Sequence, residues 1–277
     1  MHLTRIPVYV LARCCEACAC FFARASNLFD SLLPALLSPH EITSRVIRSY
    51  DTVYTAEVAA HAHDTVIDEQ LDTWETEVLD RYKICSGRML VMGSGWGREA
   101  FAMARRGITV VGIDTNIAAV QAAQTRAMTI GVSARFHRAN FFDLPYKPHS
   151  FDWAFLSSIM YSVIPGRGVR QAWLRHILQR LKRDGLVILS FTHEYSQPTR
   201  ARTMLFRLNA FLSTLPGANP VCQPGDRYET GHFMHVFQSE EEIRNELTEA
   251  GVVIQELRWT NSYAVVTFPS GEHHPSA

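Results

Sequence analysis

The sequence predicts a doubly wound α/β domain, and three observations predict it. An apolar strand-like run, Met89 to Met92, enters a turn of Gly93, Ser94, Gly95, Trp96 and Gly97 that opens onto an alanine-rich helix. Downstream, strand-like and helical runs alternate, which calls for parallel strands joined by right-handed crossovers. The last two apolar runs, Val252 to Trp259 and Ser262 to Phe268, are separated only by Thr260 and Asn261. So short a connection forces them antiparallel. The expected architecture is a mostly parallel seven-stranded sheet ending in an antiparallel β-hairpin, with helices on both faces, extra N-terminal helices and a cap insertion.

Residues 1–37 form an apolar, Cys-rich segment. Its first stretch, residues 6 to 22, is interrupted by Arg13 and Glu16. A membrane-crossing helix needs about 20 clean apolar residues, and a signal peptide needs an unbroken apolar core, so neither is expected. Helices packed on the domain or on a partner fit the pattern, and a peripheral membrane contact through residues 6–37 is the alternative. Cys14, Cys15, Cys18 and Cys20 include one C-x-x-C pair, but no second pair stands nearby. A zinc site draws four ligands, so no metal is expected. The six cysteines read as thiols of a reduced, cytoplasmic protein.

Residues 38–86 predict N-terminal helices. Ser38-Pro39-His40-Glu41 is a capping box with proline at the first helical position. A later helix places Ile67, Leu71, Trp74, Val78 and Tyr82 on one face. Residues 87–268 then carry the main domain. Strands are expected near 88–92, 108–113, 134–138, 151–157 and 185–192, and helices near 96–106, 116–130, 167–182 and 239–250. Ser239 to Glu242 is a second capping box, with Gly251 ending the last helix. Residues 194–238 interrupt the alternation with four prolines and an amphipathic segment, ARTMLFRLNAFLSTL. An excursion of that length predicts a cap over an acceptor pocket. Residues 269–277 read as a disordered tail.

The glycine turn identifies the kind of ligand. Glycine lets the backbone turn sharply and lets a ligand lie against it, and the amides at the start of the helix then face that ligand. The next apolar run ends at Asp114, twenty-one residues after Gly93, which suits an acid gripping a ribose. These residues read as a nucleoside-cofactor site. A dinucleotide fingerprint is G-x-G-x-x-G; here the spacing is G-x-G-x-G, with Arg98 in the dinucleotide glycine's place.

At this point the sequence resembles the class I S-adenosylmethionine-dependent methyltransferases of the small-molecule type. The resemblance continues through RANFFDLPYKPHSFDWAFLSS at 138 to 158, LKRDGLVILSF at 181 to 191 and the terminal helix and strand, covering roughly residues 50 to 268. It implies a Rossmann-like fold, S-adenosyl-L-methionine as cofactor and methylation of an O, N or C centre. Gly93, Ser94, Gly95, Trp96 and Gly97 would then embrace the methionine part and sugar, with Asp114 and Thr115 at the ribose. Asn140 stands where the family often has an acid that receives the adenine amino group, a departure that its amide oxygen can serve. Phe141 would offer its backbone N–H to the ring, and Tyr50 and Tyr54 resemble an element that closes the site. Ser157, Ser158 and Tyr161 would line the cleft near the methyl, at the strand ends where such sheets bind ligands. His193, after the fifth strand, is the first candidate base, with His232 and His235 behind it.

Formal charge balances at 27 basic and 27 acidic residues, which argues against a nucleic-acid substrate. A small-molecule methyl acceptor is the expected partner, and oligomeric state is open. Other readings are a membrane-associated methyltransferase of a lipid-like or protein substrate, a non-catalytic S-adenosylmethionine-binding protein and, more distantly, a dehydrogenase.

Overall fold

The computed structural model describes residues 29–48, 70–195, 199–229 and 232–269. Helices α1 (29–36) and α2 (39–48) come first. Ser38 Oγ accepts the Glu41 N–H at 3.3 Å, so the serine caps α2 as its sequence predicts. Helix α3 (Thr73–Arg81) starts where Glu75 turns back to accept the Asp72 N–H at 2.7 Å.

The central unit runs β1 (Arg88–Met92), α4 (Arg98–Arg105), β2 (Thr109–Asp114), α5 (Ile117–Ile130), β3 (Ala134–Arg138), β4 (Phe151–Leu156), α6 (Met160–Val163), α7 (Arg167–Leu178) and β5 (Leu181–Ser190). After the insertion come α9 (Glu240–Glu249), β9 (Val253–Arg258) and β10 (Tyr263–Thr267). The sheet has seven strands in the order β3-β2-β1-β4-β5-β10-β9. The five central and leading strands pair in parallel, and β10 pairs antiparallel with both β5 and β9.

Each inner strand is apolar on both sides, as a covered sheet requires. Met89 and Val91 of β1 enter the cluster shared with α3, α4 and α5; Leu90 and Met92 enter the cluster shared with α7 and α9. On β10, Tyr263 and Val265 point to the first cluster, Ala264 and Val266 to the second. This period of two fixes the register, since a one-residue slip would exchange the two faces.

Two boundaries differ from the sequence reading. Helix α7 stops at Leu178 and β5 already begins at Leu181. The ladder pairs Phe151 with Leu181 and then Trp153 with Leu186, so the polar run between those contacts bulges from the strand. Its charged residues, Lys182, Arg183 and Asp184, hide a strand start that the buried Leu181 anchors.

The insertion is a built body. It holds α8 (Arg200–Leu212), β7 (Asp226–Glu229) and β8 (His232–Phe237), and β6 (Thr192–His193), just before residue 194, joins its sheet in the order β6-β8-β7. Ile42 and Val46 of α2 pack against Tyr228 and Phe233 of the hairpin. Asn219 Nδ2 donates to Pro34 O at 2.9 Å and Asn209 Nδ2 to Ser31 O at 2.9 Å. The first two helices therefore seat on the insertion, while α3 and Gln70 just before it reach Arg98 at the start of α4.

A buried polar network ties the insertion to the main domain. The Arg170 guanidinium is fully buried and donates from Nε and Nη2 to the two Glu246 oxygens, both at 2.7 Å. Its Nη1 reaches Ile164 O at 3.2 Å and Nη2 also reaches Gln223 Oε1 at 3.1 Å. Asp226 accepts the Gln223 N–H at 2.8 Å and bonds His235 Nδ1 at 2.7 Å. His235 Nε2 lies 3.3 Å from Glu242 Oε1, off the line of a good hydrogen bond. Burial pushes the His235 imidazole down, as does Arg170, but its bond to Asp226 and the nearby Glu242 carboxylate outweigh both and hold it above its ordinary 6.5.

Removing one partner of the buried pair leaves the other charged and unmatched. Arg170→Ala is expected to lower stability by about 3–5 kcal/mol, whereas Arg170→Met combined with Glu246→Leu costs far less; urea denaturation of the three proteins reads the difference. A raised histidine stabilises fully below its unfolded pKa and ceases to do so as pH climbs through the folded value. The wild-type urea midpoint should therefore fall on the alkaline side of 6.5, and His235→Gln should flatten that decline.

Candidate functional site

The carboxyl ends of the central strands are drawn together by backbone bonds. Ser94 donates its N–H to Ile113 O at 3.0 Å, Ser157 to Met92 O at 2.9 Å and Ala139 to Asp114 O at 3.0 Å. The ends of β1, β2, β3 and β4 thus share one edge, at the point where strand order reverses between β1 and β4. Open α/β sheets bind their ligands at that crevice.

The turn after β1 needs its glycines. Gly93 has φ +71°, and a Cβ there would stand 2.7 Å from Met160 Cγ. Gly97 caps α4 at φ +91°, where a Cβ would stand 2.8 Å from the Phe101 ring. Gly95 is also left-handed, at φ +46°. L-residues with side chains resist this region. The Ser94 hydroxyl is buried without a hydrogen-bond partner.

Asp114 organises the turn. One carboxylate oxygen accepts the Gly95 N–H and the other the Asn116 N–H, each at 2.9 Å. Asn116 then caps α5 by accepting the Ala119 N–H at 2.9 Å. A carboxylate oxygen can accept more than one hydrogen bond. Thr115, half-buried, gives its carbonyl to Arg138 Nε at 3.1 Å.

A set of charges that the sequence did not foretell fastens α3 to this turn. Arg98 donates to both Glu75 oxygens at 3.1 and 2.9 Å and to Glu99 Oε1 at 2.9 Å. Glu99 also accepts the Ser157 hydroxyl proton at 2.5 Å. Glu75 and Glu99 are both buried. Burial pushes Glu75 up and Arg98 pulls it back, leaving it above the ordinary range. Trp74 of α3 stacks on Tyr263 with ring centroids 4.9 Å apart. The only signal available in the sequence was the Asp72-x-x-Glu75 cap.

The remaining candidates divide. Ser157 is buried and committed to Glu99, while Ser158 is exposed at the strand end with φ +48°. Such strain in a residue other than glycine occurs often at functional sites. Asn140 is exposed, and its Oδ1 accepts the Phe142 N–H at 3.0 Å. The Phe141 carbonyl accepts the Trp173 indole N–H at 2.8 Å, which fixes this loop against α7. Tyr161, expected in the cleft, is instead fully buried, because α6 turns it into the core, where it stacks on Phe237. Burial and the neighbouring Glu246 raise its hydroxyl well above its ordinary pKa.

His193 stands beyond the end of β5, about 10 Å across two strand spacings from the line of β1. It is buried between Trp259 and Tyr195, with ring centroids at 4.2 and 4.3 Å, and Nδ1 bonds Ser262 Oγ at 2.8 Å. Burial holds its pKa below the ordinary value, so the ring is neutral near pH 7. His232 begins β8, whereas His193 pairs with Phe237 at the other end of that strand. Five residues of strand separate them by about 17 Å, so the histidines do not converge. Tyr50, Tyr54 and the four clustered cysteines lie outside the described residues. Among the described residues no group of His, Cys, Asp and Glu could hold a metal ion.

A family model described as a methyltransferase domain matches residues 89–185, from β1 into β5. Solved structures share the fold. A SAM-dependent methyltransferase from Methanosarcina mazei is 22% identical, covering 68% of this chain and 94% of its own, with a TM-score of 0.50. A structure described for the conversion of a disulfide bond into a thioacetal group during echinomycin biosynthesis is 17% identical, covering 81% and 93%, with a TM-score of 0.55. The [4+2]-cyclase SpnF is 20% identical, covering 82% and 79%, with a TM-score of 0.52. No curated protein matches the chain.

Arg98→Ala leaves two buried carboxylates facing each other. It is expected to cost about 2–3 kcal/mol, less than a fully enclosed pair because Arg98 is partly exposed, with Arg98→Lys recovering only part because it lacks the planar fork. Thermal and urea melts check the order wild type, Lys, Ala.

Proposed function

We propose that this chain, which carries a class I S-adenosylmethionine-dependent methyltransferase domain, methylates an O, N or C centre of a small molecule at the carboxyl edge of its sheet. The observation that carries the cofactor is Asp114 beside the glycine turn. Its carboxylate is buried at the end of β2 and accepts the Gly95 N–H from the turn itself, which sets an anion where a ribose would lie. The left-handed glycines keep that surface free of Cβ atoms. S-adenosyl-L-methionine supplies an electrophilic methyl on a sulfonium, so the chain's part is to position and to exclude water. Asn140 and Phe141 border the adenine side, and Ser158 the side of the methyl.

Support for a small acceptor comes from the insertion. Its sheet starts at β6, immediately past the end of β5, and Glu194 ties it to β8 by donating its N–H to Phe237 O at 2.9 Å. A rigid body is thereby rooted next to the ligand edge. The balanced formal charge fits a neutral, enclosed substrate better than a nucleic acid. Where the acceptor must lose a proton, His193 is the base we assign: its ring is neutral and its Nδ1 is held by Ser262, which leaves Nε2 to accept. No helix among the described residues is long and apolar enough to cross a membrane.

Calorimetric titration with S-adenosylmethionine should give binding that Asp114→Ala weakens about a hundredfold, the loss of two hydrogen bonds to a charged group. Unaltered binding in the variant would remove Asp114 from the site. Methyl-labelled cofactor should then pass label to small molecules of a low-molecular-weight extract; label found only in protein or lipid fractions would defeat the small-acceptor reading.

A further inference from the structure

Helix α8 faces the wrong way for an ordinary surface helix. Met204 is 70% exposed and Phe211 64%, with Leu208 and, just past the helix, Leu215 also exposed. Their spacing of four, three and four places them in one stripe. The opposite side holds Asn209, buried on Ser31 O, and Arg202, paired with Glu194, beside the half-buried Leu205, Phe206 and Leu212. A globular protein normally buries the apolar stripe and exposes the polar one. Next to α8, helix α1 exposes Phe29, at 67%, and Leu36, seven residues on and so on the same side.

Charge limits what can cover this stripe. Arg200 and Arg207 flank it, both exposed, and α8 contains no acid. The chain's own residues 1–28 carry Arg5, Arg13 and Arg24 against the single acid Glu16, so their charge does not complement the arginines of this helix. A second copy placed face to face would bring two helices together that each carry arginines beside the stripe and no acid to offset them. An apolar stripe bordered by arginine matches a surface that is apolar below and anionic above, which is the headgroup boundary of an anionic bilayer.

We propose that α8, with the exposed edge of α1, docks the chain on an anionic membrane surface. Met204, Leu208, Phe211 and Leu215 enter the acyl boundary, and Arg200 and Arg207 meet the lipid headgroups. The contact is peripheral, and it stands or falls separately from methyl transfer.

Sedimentation of the full chain with sucrose-loaded vesicles tests this, using phosphatidylcholine alone or with about 30% phosphatidylserine. The wild type should sediment with the anionic vesicles and much less with neutral ones, and salt should release it. The double variant Met204→Asp/Phe211→Asp should lower partitioning at least about tenfold, with its thermal melt unchanged. Arg200→Gln/Arg207→Gln should bind more weakly and lose most of the salt dependence; these exposed positions keep the test open if the aspartate pair fails to fold. Absence of wild-type binding to anionic vesicles overturns the proposal. So does binding that neither variant diminishes, which would put the contact elsewhere, and so does a wild-type dimer in vesicle-free gel filtration that the aspartate pair dissociates.

Discussion

The Asp114 carboxylate holds three pieces of backbone at once. It ends β2, takes the Gly95 amide from the turn after β1, and takes the Asn116 amide at the head of α5. The turn follows a left-handed path at Gly93, Gly95 and Gly97, a shape with little intrinsic preference over alternatives. A buried anion with two amides aimed at it converts that indifference into one geometry. Arg98 extends the effect outward through Glu75 and Glu99, so α3 is fastened to the same few residues. Loss of any one of these contacts would loosen the others, because buried polar groups are costly when unmatched.

The insertion is attached by different means. The sheet domain rests on two large apolar clusters, one on each face. Where α2 meets the hairpin, the buried apolar contact is Ile42, Val46, Tyr228 and Phe233. The remainder is mixed: Phe237 of β8 joins the main apolar cluster beside Tyr161, while asparagine side chains hold α1 carbonyls and the Arg170–Glu246 pair leads through Gln223 to Asp226 and His235. Buried ion pairs add little net stability against an apolar alternative, but they tolerate few other arrangements. Fixed orientation is what a wall beside a ligand edge needs.

Much of the sheet was legible because inner strands alternate between two clusters, which leaves a period of two in residues such as Met89 to Met92 and Tyr263 to Val266. Asp114 was legible from its place at the end of an apolar run. The clamp on the turn was not, because Glu75 and Arg98 are twenty-three positions apart and each looks like a solvated charge alone. The same holds for Arg170 and Glu246, which periodicity assigns to helix surfaces. Strands β6 to β8 were hidden by their length and composition: β6 is two residues, and Asp226 to Glu229 is mostly polar. Tyr161 was misplaced because a four-residue helix, α6, reverses the direction in which it points. Asn140 and His193 could be located by order along the chain, but their hydrogen bonds to Phe142 and Ser262 come from tertiary contact.

The polar share of the seam between the insertion and the main domain has a thermal consequence. Apolar burial weakens on cooling, since its driving force near room temperature is entropic. Ion pairs and hydrogen bonds between the insertion and α7 and α9 do not share that dependence. Segments with few buried apolar contacts also open at free energies well below that of global unfolding. Local opening of the insertion would therefore leave the glycine turn set, because Asp114 and Arg98 hold that turn from within the main domain.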